Sequence, residues 1–166
     1  MTKVVIRNGL ISAAILIVLS IIPWAIGGFD TFNYRTMEIF GYLIMLAGLS
    51  FVAVGIRQHT LQAEKRVSFS EALKVGLLIV IFPAIGFFLY TAVFMNVMGE
   101  DFLQYSIEQM KGTMPAKDYE KYLAEINQNK DMYLNPFFQG AIMFITVYAI
   151  GFIVALVSAW GLTRKK

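Results

Sequence analysis

The chain has 166 residues, of which 58% are hydrophobic and 15% are charged, against roughly 45–50% and about 25% in ordinary soluble domains. The length suits one domain, residues 1–166, and the absence of cysteine excludes disulfides, thiolate nucleophiles and cysteine-ligated metals. The net charge of +3 is the sum of strongly basic segments and acidic segments that alternate along the chain. It therefore does not indicate a nucleic-acid partner.

Four strongly apolar tracts, with no charged residue in their middle, are long enough to cross a bilayer as α-helices. They run over 9–26, 37–56, 72–97 and 136–162. A membrane span needs about 20 apolar residues, and these tracts lack the polar face of a soluble helix. The sequence therefore predicts an all-α integral membrane protein, a four-helix transmembrane bundle with the lipid bilayer as its solvent. The last two tracts exceed a perpendicular span, so we expect them to tilt, kink at Pro83 or protrude into water.

The first tract has a second interpretation. Lys3 and Arg7 precede an apolar run that ends in Ala-Ile-Gly at 25–27, a pattern also typical of a secretory signal peptide. The apolar run is longer than the roughly 7–15 residues of such peptides, and Trp24 stands at its end as an interfacial anchor would. An uncleaved span is therefore favoured, and N-terminal sequencing of the mature protein would decide.

Basic residues predict the orientation of the spans. With a cytoplasmic N-terminus, the cytoplasmic segments carry nine Lys or Arg and two acidic residues, a net charge of +7. The outer loops then carry five basic and nine acidic residues, a net charge of −4. The positive-inside rule thus predicts a multi-pass protein of the cytoplasmic (inner) membrane with both termini in the cytoplasm.

A helix start signal precedes the third span. Ser68-Phe69-Ser70-Glu71 fits the Ser-x-x-Glu capping box, in which Ser68 accepts from the amide three residues on and Glu71 reaches back. Lys74 can pair with Glu71 or extend to the headgroups. We interpret Ser68 and Glu71 as a helix cap rather than as catalytic residues.

Small residues recur along one face of two spans. Their spacing is seven residues in the second span and four residues in the fourth. They are Gly41, Gly48 and Gly55 in the second span, and Gly151, Ala155 and Ala159 in the fourth. Small residues let helix backbones approach closely, so we predict that these are the helix-packing faces of the bundle. The same faces would equally support self-association into a homo-oligomer.

The segment between the third and fourth spans, residues 99–135, is polar and carries two amphipathic helix patterns. The first has apolar residues at Leu103, Ile107 and Met110, and the second at Tyr119, Tyr122, Leu123 and Ile126. Gly112 can end the first helix, and Pro115 can start the second. The sequence predicts an extracytoplasmic helical hairpin whose apolar faces pack together or lie on the membrane surface. Docking of a partner is the alternative.

Little in the sequence indicates chemistry. No ionisable residue lies in the middle of a span, and Glu38 and Lys74 stand at span edges. The single histidine, His59, falls in the predicted cytoplasmic loop, where we interpret it as a solvated residue. There is no phosphate-binding glycine loop, HExxH pair or nucleophile elbow. We therefore predict no catalytic residue, cofactor or metal site, and expect that the protein is not an enzyme.

Several segments resemble a known family. They are Val-Ser-Phe-Ser-Glu-Ala-Leu-Lys-Val-Gly at 67–76, Gly-Tyr-Leu-Ile-Met at 41–45, Gly-Ile-Arg at 55–57 and Glu-Gln-Met at 108–110. These are similar to segments of the family "domain of unknown function 4199", bacterial membrane proteins with four spans. The resemblance covers essentially the whole chain. It implies the same architecture and no assigned activity.

Three functions follow as hypotheses. The first is a non-enzymatic membrane protein acting through helix–helix association or an envelope partner, motivated by the small-residue faces and the outer hairpin. The alternative is a small transporter or channel subunit, motivated by Pro83 and by a faint likeness between 23–29 and 83–87 that would fit a duplication. The third, a lipid-acting enzyme, would need Glu100, Asp101 and Glu108 to supply a converging acid–base pair.

Overall fold

The computed structural model describes residues 1–27, 34–63 and 66–164, and of Tyr34 it describes the backbone only. Over these ranges the chain is almost entirely helical and contains no β-strand. In chain order the helices are α1 (Thr2–Ile26), α2 (Tyr34–Gln62), α3 (Phe69–Met110), α4 (Ala116–Gln128), α5 (Lys130–Tyr133) and α6 (Pro136–Arg164). The prediction of an all-α chain is therefore confirmed over these ranges.

Four of these helices, α1, α2, α3 and α6, are long and apolar enough to cross a membrane. Each contains one of the predicted spans and extends past it at one or both ends. Their outward faces carry large apolar side chains, and Leu43, Val93 and Val157 are each more than half exposed. Continuous apolar exposure of this kind is typical of helices that face lipid rather than water.

The long helices alternate in direction. Asn8 of α1 bonds to Gln58 and Ser12 to the carbonyl of Gly48, so α1 and α2 are antiparallel. On α3, Gly76 faces Ala155 of α6, whereas Phe88 faces Gly140, so α3 and α6 are antiparallel too. α3 contacts all three other long helices, and its contact with α6 is the most extensive.

This arrangement gives the bundle two distinct ends. At the terminal end, α1 begins, α6 ends, and the connection from α2 to α3 is found. At the loop end, α1 ends and α2 and α6 begin. The side chains that are fully buried belong mainly to the half nearer the terminal end, and they come from α1, α2, α3 and α6. They are Leu16, Leu49, Val52, Ile56, Val75, Ile79, Val80 and Val147.

Helix α3 is much longer than a membrane span. Its 42 residues correspond to a length of about 63 Å at 1.5 Å per residue, roughly twice the hydrocarbon thickness of a bilayer. The helix passes Pro83 and continues without a break through Gly99 to Met110. The first helix expected in the 99–135 segment is therefore not a separate element. It is the end of α3, which is long enough to project beyond the bilayer core.

Helix α4 is amphipathic, as its sequence pattern predicts. Ile126 is 2% exposed, Tyr119, Tyr122 and Leu123 are half-buried, and the charged residues of the helix are exposed. Because these exposures are those of a single chain, the apolar side of α4 is covered by other parts of the same molecule. Pro115 directly precedes the helix, and Asp118 lies in its first turn, near the positive end of the helix dipole.

Candidate functional site

Five of the six small residues singled out in the sequence lie inside the bundle. A Cβ placed on Gly48 would stand 2.6 Å from Cγ of Leu16 on α1, and one on Gly151 would stand 2.5 Å from a methyl carbon of Val80 on α3. At Gly55 a Cβ would meet Ile79 of α3, and Ala155 and Ala159 are fully buried. These faces are therefore occupied by contacts within one chain.

Gly41 differs from the other five. A Cβ placed on it would meet no atom within 4 Å, although Gly41 stands only seven residues before Gly48 on the same helix. The seven-residue glycine pattern of α2 thus begins beside open space at the loop end and becomes tightly packed toward the terminal end. Only the packed part brings two helix backbones together.

The helix cap residues lie at the start of α3. Ser68 is the N-cap residue, and its hydroxyl accepts a 3.2 Å hydrogen bond from the backbone N–H of Glu71. The carboxylate of Glu71 does not complete the reciprocal half of a capping box. Instead, its Oε1 lies 3.0 Å from Nε2 of His59 on α2.

His59 is therefore not a solvated loop residue, and that interpretation of the sequence was wrong. It lies in the last turn of α2, because this helix continues to Gln62 instead of ending near the predicted boundary at residue 56. Its side chain is only 11% exposed. The contact with Glu71 joins the end of α2 to the start of α3 across the connection between them.

A second polar contact joins α1 to α2 at the terminal end. Oε1 of Gln58 accepts from Nη2 of Arg7 at 2.6 Å and from Nδ2 of Asn8 at 2.9 Å. Asn8 is 1% exposed, and it also donates to the carbonyl of Val4 at 2.8 Å. One turn deeper, the buried hydroxyl of Ser12 donates to the carbonyl of Gly48. Each buried polar side chain thus has a partner, which low-dielectric surroundings require.

At the loop end the four long helices do not close on one another. They leave a space of about 330 Å³, which we call the loop-end cleft. Its lining is dominated by aromatic residues and methionines. The aromatic residues are Trp24, Phe40, Phe87, Tyr90, Phe94, Phe102 and Tyr105, and the methionines are Met37, Met45, Met95 and Met143. Glu38 and Gln139 are among its polar lining residues.

Five of the seven aromatic rings that line the cleft form one connected group, and Phe87 joins it by stacking 5.5 Å from Tyr90. The ring of Phe94 lies 4.9 Å from Trp24, 6.2 Å from Tyr90 and 5.7 Å from Phe102, measured between centroids. The hydroxyl of Tyr90 donates to the carbonyl of Ser20 at 3.1 Å and also hydrogen-bonds to the side chain of Trp24. This group fixes α1 against α3 on one side of the cleft.

Of the three carboxylates considered for a lipid-acting enzyme, Glu108 lies apart from the other two. Glu100 and Asp101 line a shallow depression beside Asn96 and Pro136, whereas Glu108 lies two helical turns further along α3 and outside that depression. Within 1–27, 34–63 and 66–164, no three His, Asp or Glu side chains are grouped so that they could hold a metal ion. Glu100, Asp101 and Glu108 therefore do not line one common cleft.

The cleft was not identified from the sequence, although a signal for it exists. The five aromatic residues that α3 contributes, at 87, 90, 94, 102 and 105, follow helical spacing and share one face. In a membrane helix, such a stripe equally indicates contact with lipid or an interfacial belt. Only the structure shows that it faces the neighbouring helices across open space.

These features define an all-helical protein with four helices that could span a membrane, a packed terminal half and an aromatic cleft at the other end. The family described as "Protein of unknown function (DUF4199)" matches residues 7–164. The chain belongs to this family, and the resemblance noted in the sequence is confirmed. Comparison with curated proteins found no match, and comparison with solved structures found none either.

Proposed function

We propose that this protein is a non-enzymatic, multi-pass protein of the bacterial inner membrane that acts through association with a second copy or with another envelope protein. The positions of the charges support an orientation with cytoplasmic termini. Lys3, Arg7, Arg57 and Lys74 all belong to the terminal end, and the guanidinium of Arg164 lies 4.1 Å from the ring centre of Trp160, as in an interfacial belt.

The observation that carries the proposal is the length of α3. Since five of the six small residues are packed inside the bundle, those parts of the faces are not available to a partner. Helix α3 is instead long enough to extend past the end of α1, and it is followed by α4, which turns its charged side outward. We name residues 99–135 the projecting segment and propose that it folds as an extracytoplasmic hairpin that contacts the partner.

The absence of cysteine from the native sequence allows a direct test of this association. A single cysteine at exposed Lys121 on α4, labelled with benzophenone maleimide and irradiated in membranes, should give one adduct of defined mass. Leu46→Cys, at a lipid-facing position of α2 that is 56% exposed, serves as the matched control. Two differently tagged copies distinguish a self-adduct from an adduct with another protein. Equal adduct patterns at both positions would contradict the proposal, since they would indicate random collision.

Orientation is tested separately with paired fusions. Alkaline phosphatase fused after Gly112, just beyond the end of α3, should be active because the enzyme folds outside the cytoplasm. The same enzyme fused after Ala63, at the α2–α3 connection, should be inactive. The opposite pattern would overturn the orientation while leaving the helical bundle untouched.

One observation favours the alternative of a small transporter subunit. The cleft is closed toward the terminal end by packed side chains that include Leu16, Leu49 and Val52, as in one state of an alternating-access carrier. Against it, Phe82 faces Gly9 and Tyr90 bonds to Ser20, so Pro83 lies about 20 Å nearer the terminal end than Pro23. The two prolines thus occupy unequal depths, contrary to a duplication.

Accessibility separates the two functions. In inside-out vesicles, a cysteine at Val52 should resist a membrane-impermeant maleimide if the packed half stays closed. A carrier would expose this position to the cytoplasmic side during its cycle. Labelling of Val52→Cys at a rate comparable with exposed Leu61→Cys would favour the transporter.

A further inference from the structure

We propose that the loop-end cleft is a binding site for a lipophilic organic cation, such as an aromatic phosphonium or quaternary ammonium compound. This proposal concerns the ligand of the cleft and is independent of the association proposed for the projecting segment. It rests on the aromatic walls, on the charge at the rim, and on the size and depth of the space.

The walls of the cleft are suited to a cation with apolar substituents. The faces of aromatic rings carry negative electrostatic potential and attract cations, most strongly when water is excluded. Tryptophan is the aromatic side chain that attracts cations most strongly. The ring of Trp24 lies 4.9 Å from that of Phe94, and Phe102 meets Phe94 edge-on. A ligand in the cleft would therefore contact several rings, and its apolar groups would be removed from water.

The charge at the rim has the matching sign. Glu38 is the only carboxylate among the described residues that line the cleft, and no Lys or Arg lines it. Its side chain is exposed, and it forms no ion pair with any residue that the structure describes. A carboxylate beside an apolar cleft is unfavourable for a neutral hydrocarbon chain and favourable for a cation.

The position of the cleft makes it accessible from water. Trp24 lies two residues before the end of α1, and Phe94 packs against it, whereas Phe102 stands two turns further along α3. The cleft thus spans the level at which α1 ends, where the interface with water is expected.

The size of the space fits a small organic molecule. A volume of about 330 Å³ lies at the lower end of the roughly 300–1,000 Å³ found for ligand sites. Gly41 helps to keep this space open, since no atom lies within 4 Å of a Cβ built there. The four methionines add flexible, polarisable surface that can adapt to ligands of different shape.

Two ions of the same shape and opposite charge provide the test. Tetraphenylphosphonium and tetraphenylborate are added to the full chain in nanodiscs of zwitterionic lipid. The chain has two tryptophans, so Trp160→Phe leaves Trp24, which lines the cleft, as the only tryptophan whose emission is followed. We expect the phosphonium to quench the fluorescence of Trp24 with a saturable concentration dependence. The borate should show no saturable component. Trp24→Phe, which retains only Trp160 at the far end, reports partitioning into lipid and should show no saturation with either ion.

Substitutions then assign the binding to the cleft. Glu38→Gln should weaken phosphonium binding about two- to fivefold, the effect of one exposed ion pair. Glu120→Gln removes an equal charge from exposed α4 and should leave the affinity unchanged. Gly41→Leu should abolish saturation by filling the space.

Three results would overturn the proposal. Equal affinity for the two ions would show a purely apolar cavity suited to lipid chains. An unchanged affinity in Glu38→Gln would remove the role of the carboxylate. Non-saturable quenching of Trp24 would show that nothing binds there beyond partitioning into the bilayer.

Discussion

The two halves of the bundle use the same helices in opposite ways. In the terminal half, Leu16, Leu49 and Ile79 are completely buried and Gly48 allows α1 and α2 to touch. In the loop half, the same helices separate and enclose a cleft lined with aromatic rings and methionines. One helix can therefore supply close packing at one depth and an open site at another, depending on what its partner places opposite.

In the membrane that we propose for this protein, the contrast has a physical basis. Lipid tails are as apolar as leucine, so burial of apolar surface does not drive helices together there, and close packing and interhelical hydrogen bonds do. Both are concentrated in the terminal half, where Ser12 and Asn8 bond across to α2. In the loop half, by contrast, the bond from Tyr90 to the carbonyl of Ser20 and the rings around Phe94 hold α1 to α3 on one side of the cleft.

The largest expected effect comes from filling the two ends of the glycine pattern on α2. Gly48→Leu should lower the free energy of unfolding by about 1–3 kcal/mol or more, because Leu16 is fully buried and cannot move aside. Gly41→Leu should leave the free energy of unfolding unchanged or raise it by up to about 1 kcal/mol, since its Cβ meets no neighbour within 4 Å and leucine is the better helix former. Steric trapping in bicelles measures both free energies.

The two substitutions form a matched pair. Both replace glycine by leucine on α2, and each removes the roughly 1 kcal/mol cost of glycine in a helix, so the difference between them isolates the contact with α1. Equal destabilisation at Gly48 and Gly41 would mean that the helices are as close at the loop end as at the terminal end. The distinction between the two halves would then fail.

An intermediate effect is expected at the start of α3. Ser68→Ala removes the side chain that accepts from the N–H of Glu71, and loss of such a cap costs about 0.5–2 kcal/mol. Ser70→Ala, two residues on and equally exposed, is the control and should change stability by less than a few tenths of a kcal/mol. Thermal denaturation in one detergent, followed by circular dichroism, compares the two. A loss at Ser70 as large as that at Ser68 would contradict the assignment of the cap.

The four long helices could be predicted from the sequence, because a tract of about 20 apolar residues without a charge in its middle favours one continuous helix that could span a membrane. The start of α3 was predictable for a similar reason, since a capping signal is local. The end of α2 was not, because the helix continues past the apolar tract to Gln62, where His59 in its last turn contacts Glu71 across the connection. Local patterns thus located elements better than their ends.

The cleft required more than any local pattern can supply. Gly41 and Gly48 belong to the same seven-residue pattern. A Cβ on Gly48 would meet Leu16, whereas a Cβ on Gly41 would meet no atom within 4 Å. Whether a small residue marks a contact or a gap depends on the side chain that the neighbouring helix places opposite it. That pairing is set by the register between helices, which a single sequence does not reveal.

The smallest expected effect tests the hydrogen bonds that join α1 to α2. Ser12→Ala removes a buried bond to the carbonyl of Gly48 and should cost about 0.6 kcal/mol, the average for interhelical bonds in a membrane protein. Ser50→Ala removes a bond that stays within α2, from the hydroxyl to the carbonyl of Ala47, and should cost close to nothing. Steric trapping on both variants gives the difference. Because the substitution is the same, a cost at Ser50 equal to that at Ser12 would show that the loss comes from the helix itself. The terminal half would then be held by packing alone, and the contrast with the cleft would rest on shape and not on hydrogen bonding.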